Sequence, residues 1–243
     1  MVLIIRVFME YKKVLTLSFD DGITQDERFI EILNKYGIKC TFNLNSELLG
    51  NDGYLLIDGK KISHKKISPE KVREVYKGHE IASHTLTHPN LTTLSPCEII
   101  EQVEKDRLRL SELAGYEVTG FAYPCGGINS NRVVGEIIKN NTGVKFARTI
   151  VHSYDFSLPD NMYLFNPTAS LTKNKNKLLE LCHEFLNSNP DKPELFYIWG
   201  HSYELDIDDS WDYFEDVCKL LSGRDDILYC TNTEAFNYLV KIY

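Results

Sequence analysis

The sequence has 243 residues, 43% hydrophobic and 26% charged, with a formal net charge of −8. A chain of this length and balance folds around a full hydrophobic core, which excludes a disordered tail protein, a collagen-like chain and a coiled coil. The acidic excess argues against nucleic acid or anionic lipid as a partner, since both demand clustered Lys and Arg.

Residues 1–9 are apolar apart from Arg6 and read as a first strand or an ordered tail. Their charge falls mid-run and no small-residue cleavage site follows, so they lack the order of a signal peptide. No apolar run approaches the eighteen residues of a membrane span. Cysteines 40, 97, 125, 182, 218 and 230 include no CxxC pair, which fits a reduced compartment and an expected cytoplasmic location.

Short β-rich apolar runs at 14–19, 38–44, 80–83, 118–123, 144–149, 195–200 and 227–230 alternate with helical stretches. The helices are expected at 24–36, 69–77, 96–114, 130–140, 174–187, 210–221 and 232–242. Capping boxes mark three starts, Thr24 with Glu27, Ser95 with Glu98 and Thr231 with Glu234, and Ser68 before Pro69 marks another. Gly37, Gly78 and Gly115 fall where helices should stop. Such alternation predicts parallel strands wrapped by helices, in an open sheet or a closed barrel. Segment 51–67 breaks the rhythm: two short apolar runs flank Asp58-Gly59, a two-residue turn signal, so a β-hairpin is expected after the second strand. No linker, repeat or low-complexity tract divides the chain, and the KNKNK run at 173–177 reads as a solvated helix start.

Four constellations carry chemistry, each at a predicted strand end, where parallel β/α folds place their sites. In Ser18-Phe19-Asp20-Asp21-Gly22, two adjacent carboxylates repel unless a cation or a shared proton relieves them, although the same residues also suit a turn that caps the next helix. In His84-Thr85-Leu86-Thr87-His88, a local turn brings residues four apart to about 5–6 Å, making a chelate; two imidazoles and one carboxylate match a zinc site. Unrelated surface histidines would give the same spacing. In Tyr123-Pro124-Cys125-Gly126-Gly127, a freed backbone N–H could donate to an oxyanion, or the residues form a plain turn. In Ile198-Trp199-Gly200-His201, a histidine near neutral pKa could serve as a general acid or sit satisfied in the core.

Together and in this order, the four motifs resemble those of the polysaccharide deacetylases of the NodB-homology type, carbohydrate esterase family 4, over roughly residues 14–201. The expected fold is a single-domain distorted (β/α) barrel of about seven parallel strands, with helices around it and an inserted hairpin near 51–67. The resemblance implies that Asp20 is the catalytic base, that Asp21, His84 and His88 bind a divalent metal, expected to be zinc, and that His201 is the acid. It further implies that Tyr123, Cys125 and Trp199 face substrate, with the Cys125 N–H on the oxyanion. Ala122 stands where the family carries the arginine that holds the base, and Cys125 stands for the motif tyrosine. Arg148, at the end of the next strand, is expected to reach Asp20 instead, and Trp199 or Trp211 to wall the acyl pocket. The implied activity is removal of acetyl groups from N-acetylated sugars. Hydrolysis of a small linear or cyclic amide, or carbohydrate binding at an impaired site, are the alternatives.

Overall fold

The computed structural model describes residues 11–242; the apolar run at 1–9 lies outside them. The elements follow the chain as β1 (Lys13–Asp20), α1 (Gln25–Lys35), β2 (Cys40–Leu44), β3 (Tyr54–Ile57), β4 (Lys60–Ser63), α2 (Val72–Val75), β5 (Glu80–Ser83), α3 (Pro96–Ala114), β6 (Gly120–Ala122), α4 (Arg132–Asn141), β7 (Phe146–Arg148), β8 (Ala169–Ser170), α5 (Lys175–Asn187), β9 (Glu194–Gly200), α6 (Glu204–Ile207), α7 (Trp211–Leu221), β10 (Ile227–Tyr229) and α8 (Asn232–Ile242).

Strand periodicity in β1 sets the layers. Leu15, Leu17 and Phe19 enter the cluster that holds Phe29 and Leu33 of α1. Val14 packs instead with Leu195, Tyr197 and Phe236. Its alternates Thr16, Ser18 and Asp20 are held by hydrogen bonds with Asn232, Asn43 and Asn43 in turn. Asp20 therefore ends a row of interior-facing residues.

The main sheet runs β7-β6-β5-β2-β1-β9-β8, and every pairing is parallel. Because β9 pairs with β1 over Lys13–Phe19, the other edge of β1 is divided. Its first half takes β10 and its second half takes β2. Segment 162–171 spans the gap between the outer strands. It bonds first to β7 (Ala147 N to Met162 O, 2.8 Å; Thr149 N to Phe165 O, 2.7 Å) and then to β9 (Thr168 N to Tyr197 O, 2.8 Å; Leu171 N to Trp199 O, 2.9 Å). The sheet thereby curls into a distorted β/α barrel.

All seven expected parallel strands are present, with an eighth, the two-residue β8, that is too short to leave a sequence pattern. The hairpin forms with Asp58 at φ 50° and Gly59 at φ 76°, the positive pair that a two-residue turn needs to match strand twist. The boxes at Ser95 and Thr231 form as expected. That at Thr24 does not: Thr24 is already helical in backbone, and the Asp26 carboxylate takes the N–H of Ile23 instead. The stretch expected as one helix at 69–77 is a 3-10 turn at Pro69–Lys71 followed by one turn of α-helix, without a side-chain cap from Ser68. Asn131 and Asn174 cap α4 and α5. All six cysteines are unpaired, and no helix among the described residues is long and apolar enough to cross a membrane.

Candidate active site

Parallel pairing brings the carboxyl ends of β1, β5, β6, β7 and β9 to one rim, and the chain turns sharply there. Asp21, Thr85, His88 and Cys125 all have φ between 62° and 86°, a region that side chains occupy at a cost of about 1–3 kcal/mol each. Each is tied down locally. The N–H of Asp21 donates to Asn43 O at 3.0 Å, and Lys66 Nζ donates to Asp21 O at 2.7 Å. Asn45 Nδ2 donates to the carbonyls of His84 and Thr85, while the His88 N–H donates to Thr85 Oγ1 at 3.1 Å. Asn129 Nδ2 binds the carbonyls of Tyr123, Pro124 and Cys125. Gly22 follows Asp21 at φ 61°, where a Cβ would lie 2.3 Å from Leu44 Cδ2, so both shape and backbone require glycine.

Inside this rim lies a cavity of about 620 Å³ lined by Asp20, Asp21, His84, His88, Trp199 and His201, among others. Asp20 is buried, with Arg148 Nη2 2.5 and 2.6 Å from its two oxygens and Asn43 Nδ2 at 2.8 Å. Burial works against its ionisation, but the Arg148 guanidinium, together with His84 and His201, outweighs it and holds the carboxyl below its ordinary range. Asp21, also buried, lies with Oδ2 3.1 Å from His64 Nε2 and Oδ1 3.7 Å from His88 Nε2 and 3.4 Å from Lys66 Nζ. Burial again opposes ionisation, yet the His64 hydrogen bond and the Lys66 charge hold this carboxyl well below its usual range.

His84 Nδ1 sits 2.8 Å from the Ala122 carbonyl. A carbonyl can only accept, so Nδ1 carries the proton and Nε2 is left as a bare lone pair. Burial pushes the His84 imidazole down to about 4 and also lowers that of His88, so both rings are neutral at pH 7. One ligand atom from each of Asp21, His84 and His88 lies within 4.8 Å of the others. His201 behaves oppositely. Burial would lower it, but Glu204, 3.0 Å from Nδ1, and the nearby Asp21 raise it to about 9, leaving a cation whose Nε2 is 4.0 Å from Asp20 and 3.9 Å from Asp21. The Cys125 N–H faces no acceptor among the described residues, and its Sγ approaches His88 O at 3.4 Å.

The site residues read from the sequence thus converge, with Arg148 behind Asp20 rather than on the cavity wall. Tyr123 borders the cavity, with its ring buried beside Phe121 and its hydroxyl donating to Tyr163 O at 2.8 Å. Trp199 forms part of the cavity wall, with Arg148 4.7 Å and Lys173 5.0 Å from its ring centroid. Trp211 does not: its indole donates to Asp206 and its ring stacks under Arg28. Lys173, expected merely to solvate a helix start, borders the cavity. Sequence reasoning missed His64 and Lys66, which the hairpin segment delivers, and Glu204. The i, i+3 spacing of His201 and Glu204 was an available signal for the last.

Acidic and imidazole side chains gathered at the carboxyl rim of a parallel β/α barrel make the arrangement of a barrel enzyme. The family model for polysaccharide deacetylase matches residues 10–145, more than half of the chain, and the chain belongs to that family. The match takes in Asp20, Asp21, His84, His88 and Cys125 and stops before Arg148 and His201. Among curated proteins, the chain is 28% identical over 120 residues to the peptidoglycan-N-acetylglucosamine deacetylase PgdA of Listeria monocytogenes, covering 48% of this chain and 22% of that one. It is 29% identical over 121 residues to the peptidoglycan-N-acetylmuramic acid deacetylase PdaC of Bacillus subtilis, covering 49% and 22%. The matched stretch is thus under a quarter of the length of these two relatives. A family 4 acetyl xylan esterase from Clostridium thermocellum, solved with a cobalt ion, shares the fold at a TM-score of 0.57 and 18% identity, covering 93% of this chain and 91% of that one.

Proposed function

We propose that this chain is a metal-dependent N-deacetylase acting on N-acetylated sugars in a polysaccharide or oligosaccharide, with residues 1–243 as one catalytic domain. The supporting observation is the cluster of Asp21, His84 and His88, with ligand atoms within 4.8 Å of one another, beside a carboxylate fixed by Arg148. This donor set fits a divalent cation, zinc by the mixed imidazole and carboxylate chemistry: Asp21 is ionised, both rings are neutral, and the His84 tautomer leaves Nε2 free to coordinate. Asp21, His84 and His88 would hold the ion. When bound, it supplies Lewis acidity, polarising a carbonyl and lowering the pKa of a water to about 7.

The protein's own groups divide the remaining work. Asp20, charged and held by Arg148 and Asn43, accepts the proton of the attacking water as it adds to the acetamide carbonyl. The Cys125 N–H donates to the oxygen that gains charge. His201, kept cationic by Glu204, gives its Nε2 proton to the nitrogen as the C–N bond breaks, so acetate and a free amine leave. Trp199 closes the cavity beside the acyl group.

Metal content after dialysis and acetate release from N-acetylated oligosaccharides test this reading. Asp21→Ala, His84→Ala and His88→Ala should each lose metal and turnover together, whereas Asp20→Asn should keep metal and lose about 10²–10⁴-fold in rate. Full metal content and acetate release in the triple variant would refute it.

A further inference from the structure

The hairpin segment 51–67 departs from the β/α rhythm, and none of the four motifs falls within it. Its inner side nevertheless reaches the cavity, where Asn51, Gly53, Leu55, His64 and Lys66 form one wall. The return segment after β4 is stitched to the residues just beyond Asp21. Ile23 and Lys66 form an antiparallel bridge, Thr24 N donates to Lys65 O at 2.8 Å, and Ile67 N donates to Gly22 O at 2.9 Å. These bonds hold His64 at a fixed place, with its backbone N–H on Gly53 O at 2.9 Å and its ring edge-on to Tyr203, 5.4 Å between centroids. Gln25 Nε2 donates to Ser63 O, beside His64, at 2.7 Å, and the turn end is fastened as well, through Lys60 Nζ to Ile207 O at 2.7 Å.

This scaffold presents two groups to Asp21: His64 Nε2, 3.1 Å from Oδ2, and Lys66 Nζ, 2.7 Å from the backbone carbonyl and 3.4 Å from Oδ1. An ionised carboxylate has no proton to give, so Nε2 is the donor. The two oxygens of Asp21 are therefore unequal: Oδ2 takes the His64 hydrogen bond, whereas Oδ1, with Lys66 Nζ at 3.4 Å, faces His88 Nε2 at 3.7 Å. A carboxylate pinned by one oxygen has lost the freedom to swing the other away from the two imidazoles. Residues that orient a ligating group in this way are typically worth 10–100-fold in metal affinity.

We propose that His64 is a positioning residue for the metal-binding carboxylate, and that the inserted hairpin serves as a strap without which the Asp21–His84–His88 site holds its ion poorly. The inference rests on the metal reading above. Calorimetric titration of zinc into the full chain, stripped beforehand with a chelator, tests it. His64→Ala should bind zinc 10–100-fold more weakly while its metal-free urea midpoint stays at the wild-type value. His64→Gln, whose amide nitrogen can occupy the place of Nε2, should recover most of the loss.

Wild-type zinc affinity in His64→Ala overturns the proposal. So does a His64→Gln variant as weak as His64→Ala, which would assign the effect to ring packing on Tyr203 and not to the donated hydrogen bond. Wild-type protein that binds zinc no better than Asp21→Ala overturns the metal reading itself, and this inference with it.

Discussion

Replacing Arg148 with methionine would leave a carboxylate buried without its cation. In the native protein, Arg148 and Asp20 are both excluded from solvent, the guanidinium spans both carboxylate oxygens at 2.5 and 2.6 Å, and Asn43 Nδ2 is the other side-chain donor to Asp20. Breaking a buried pair from one side costs about 3–5 kcal/mol, because the remaining charge keeps its desolvation penalty. The pH dependence identifies the cause. In wild type the folded pKa of Asp20 lies below its unfolded value, so its contribution is present above the unfolded pKa and is lost as pH falls. In the variant, burial acts without the guanidinium and raises the folded pKa, so stability is instead lost as pH rises. The two proteins should therefore converge only as pH falls below the folded pKa of Asp20, and differ by about 3–5 kcal/mol at pH 7, measured by urea unfolding in excess chelator. Adding Asp20→Asn should recover part of the loss, with a coupling energy of about 0.5–3 kcal/mol. A difference that stays constant across this pH range would refute the electrostatic account and assign the loss to packing against Trp199.

Asp26 offers a second test of buried charge. Burial raises it to about 7 despite hydrogen bonds from Ser202 Oγ at 2.6 Å, Tyr76 OH at 2.7 Å and Ile23 N at 3.2 Å. A raised folded pKa means that stability falls as pH climbs from the unfolded value towards 7, so Asp26→Asn should gain on wild type by up to about 4 kcal/mol between pH 4 and pH 7. Urea midpoints whose difference does not change with pH would count against it. Gly22→Ala combines a left-handed backbone with a Cβ 2.3 Å from Leu44 Cδ2 and should destabilise by about 1–3 kcal/mol; a variant within about 0.5 kcal/mol of wild type by urea unfolding would contradict the steric argument.

The alternation of parallel strands and helices was legible because the strands are short apolar runs between capped helices, with the motif residues at their carboxyl ends, whereas the barrel over an open sheet came from the family resemblance. Arg148 was legible for the same reason: an arginine ending the strand beside β6 shares a rim with Asp20. The place of Tyr123 in a motif said nothing of which way the ring turns: the residue borders the cavity while its ring packs on Phe121. His64 and Lys66 lie more than forty residues from Asp21 and carry no spacing relation to it. Their place follows from the fold of a hairpin back over residues 22–24, a tertiary event that periodicity does not encode. β8 is two residues long, and no pattern of alternation can declare itself in so few.

The divided edge of β1 has a consequence for biogenesis. The strand that ends in Asp20 is made well before the partner for its opening half, Ile227–Tyr229, which follows more than two hundred residues later. A nascent polypeptide stalled on the ribosome just short of residue 227 already carries Asp20, Asp21, His84, His88 and His201, but half of one flank of its central strand is bare. Such long-separated pairing slows folding, and it makes completion of the barrel wait on the synthesis of β10.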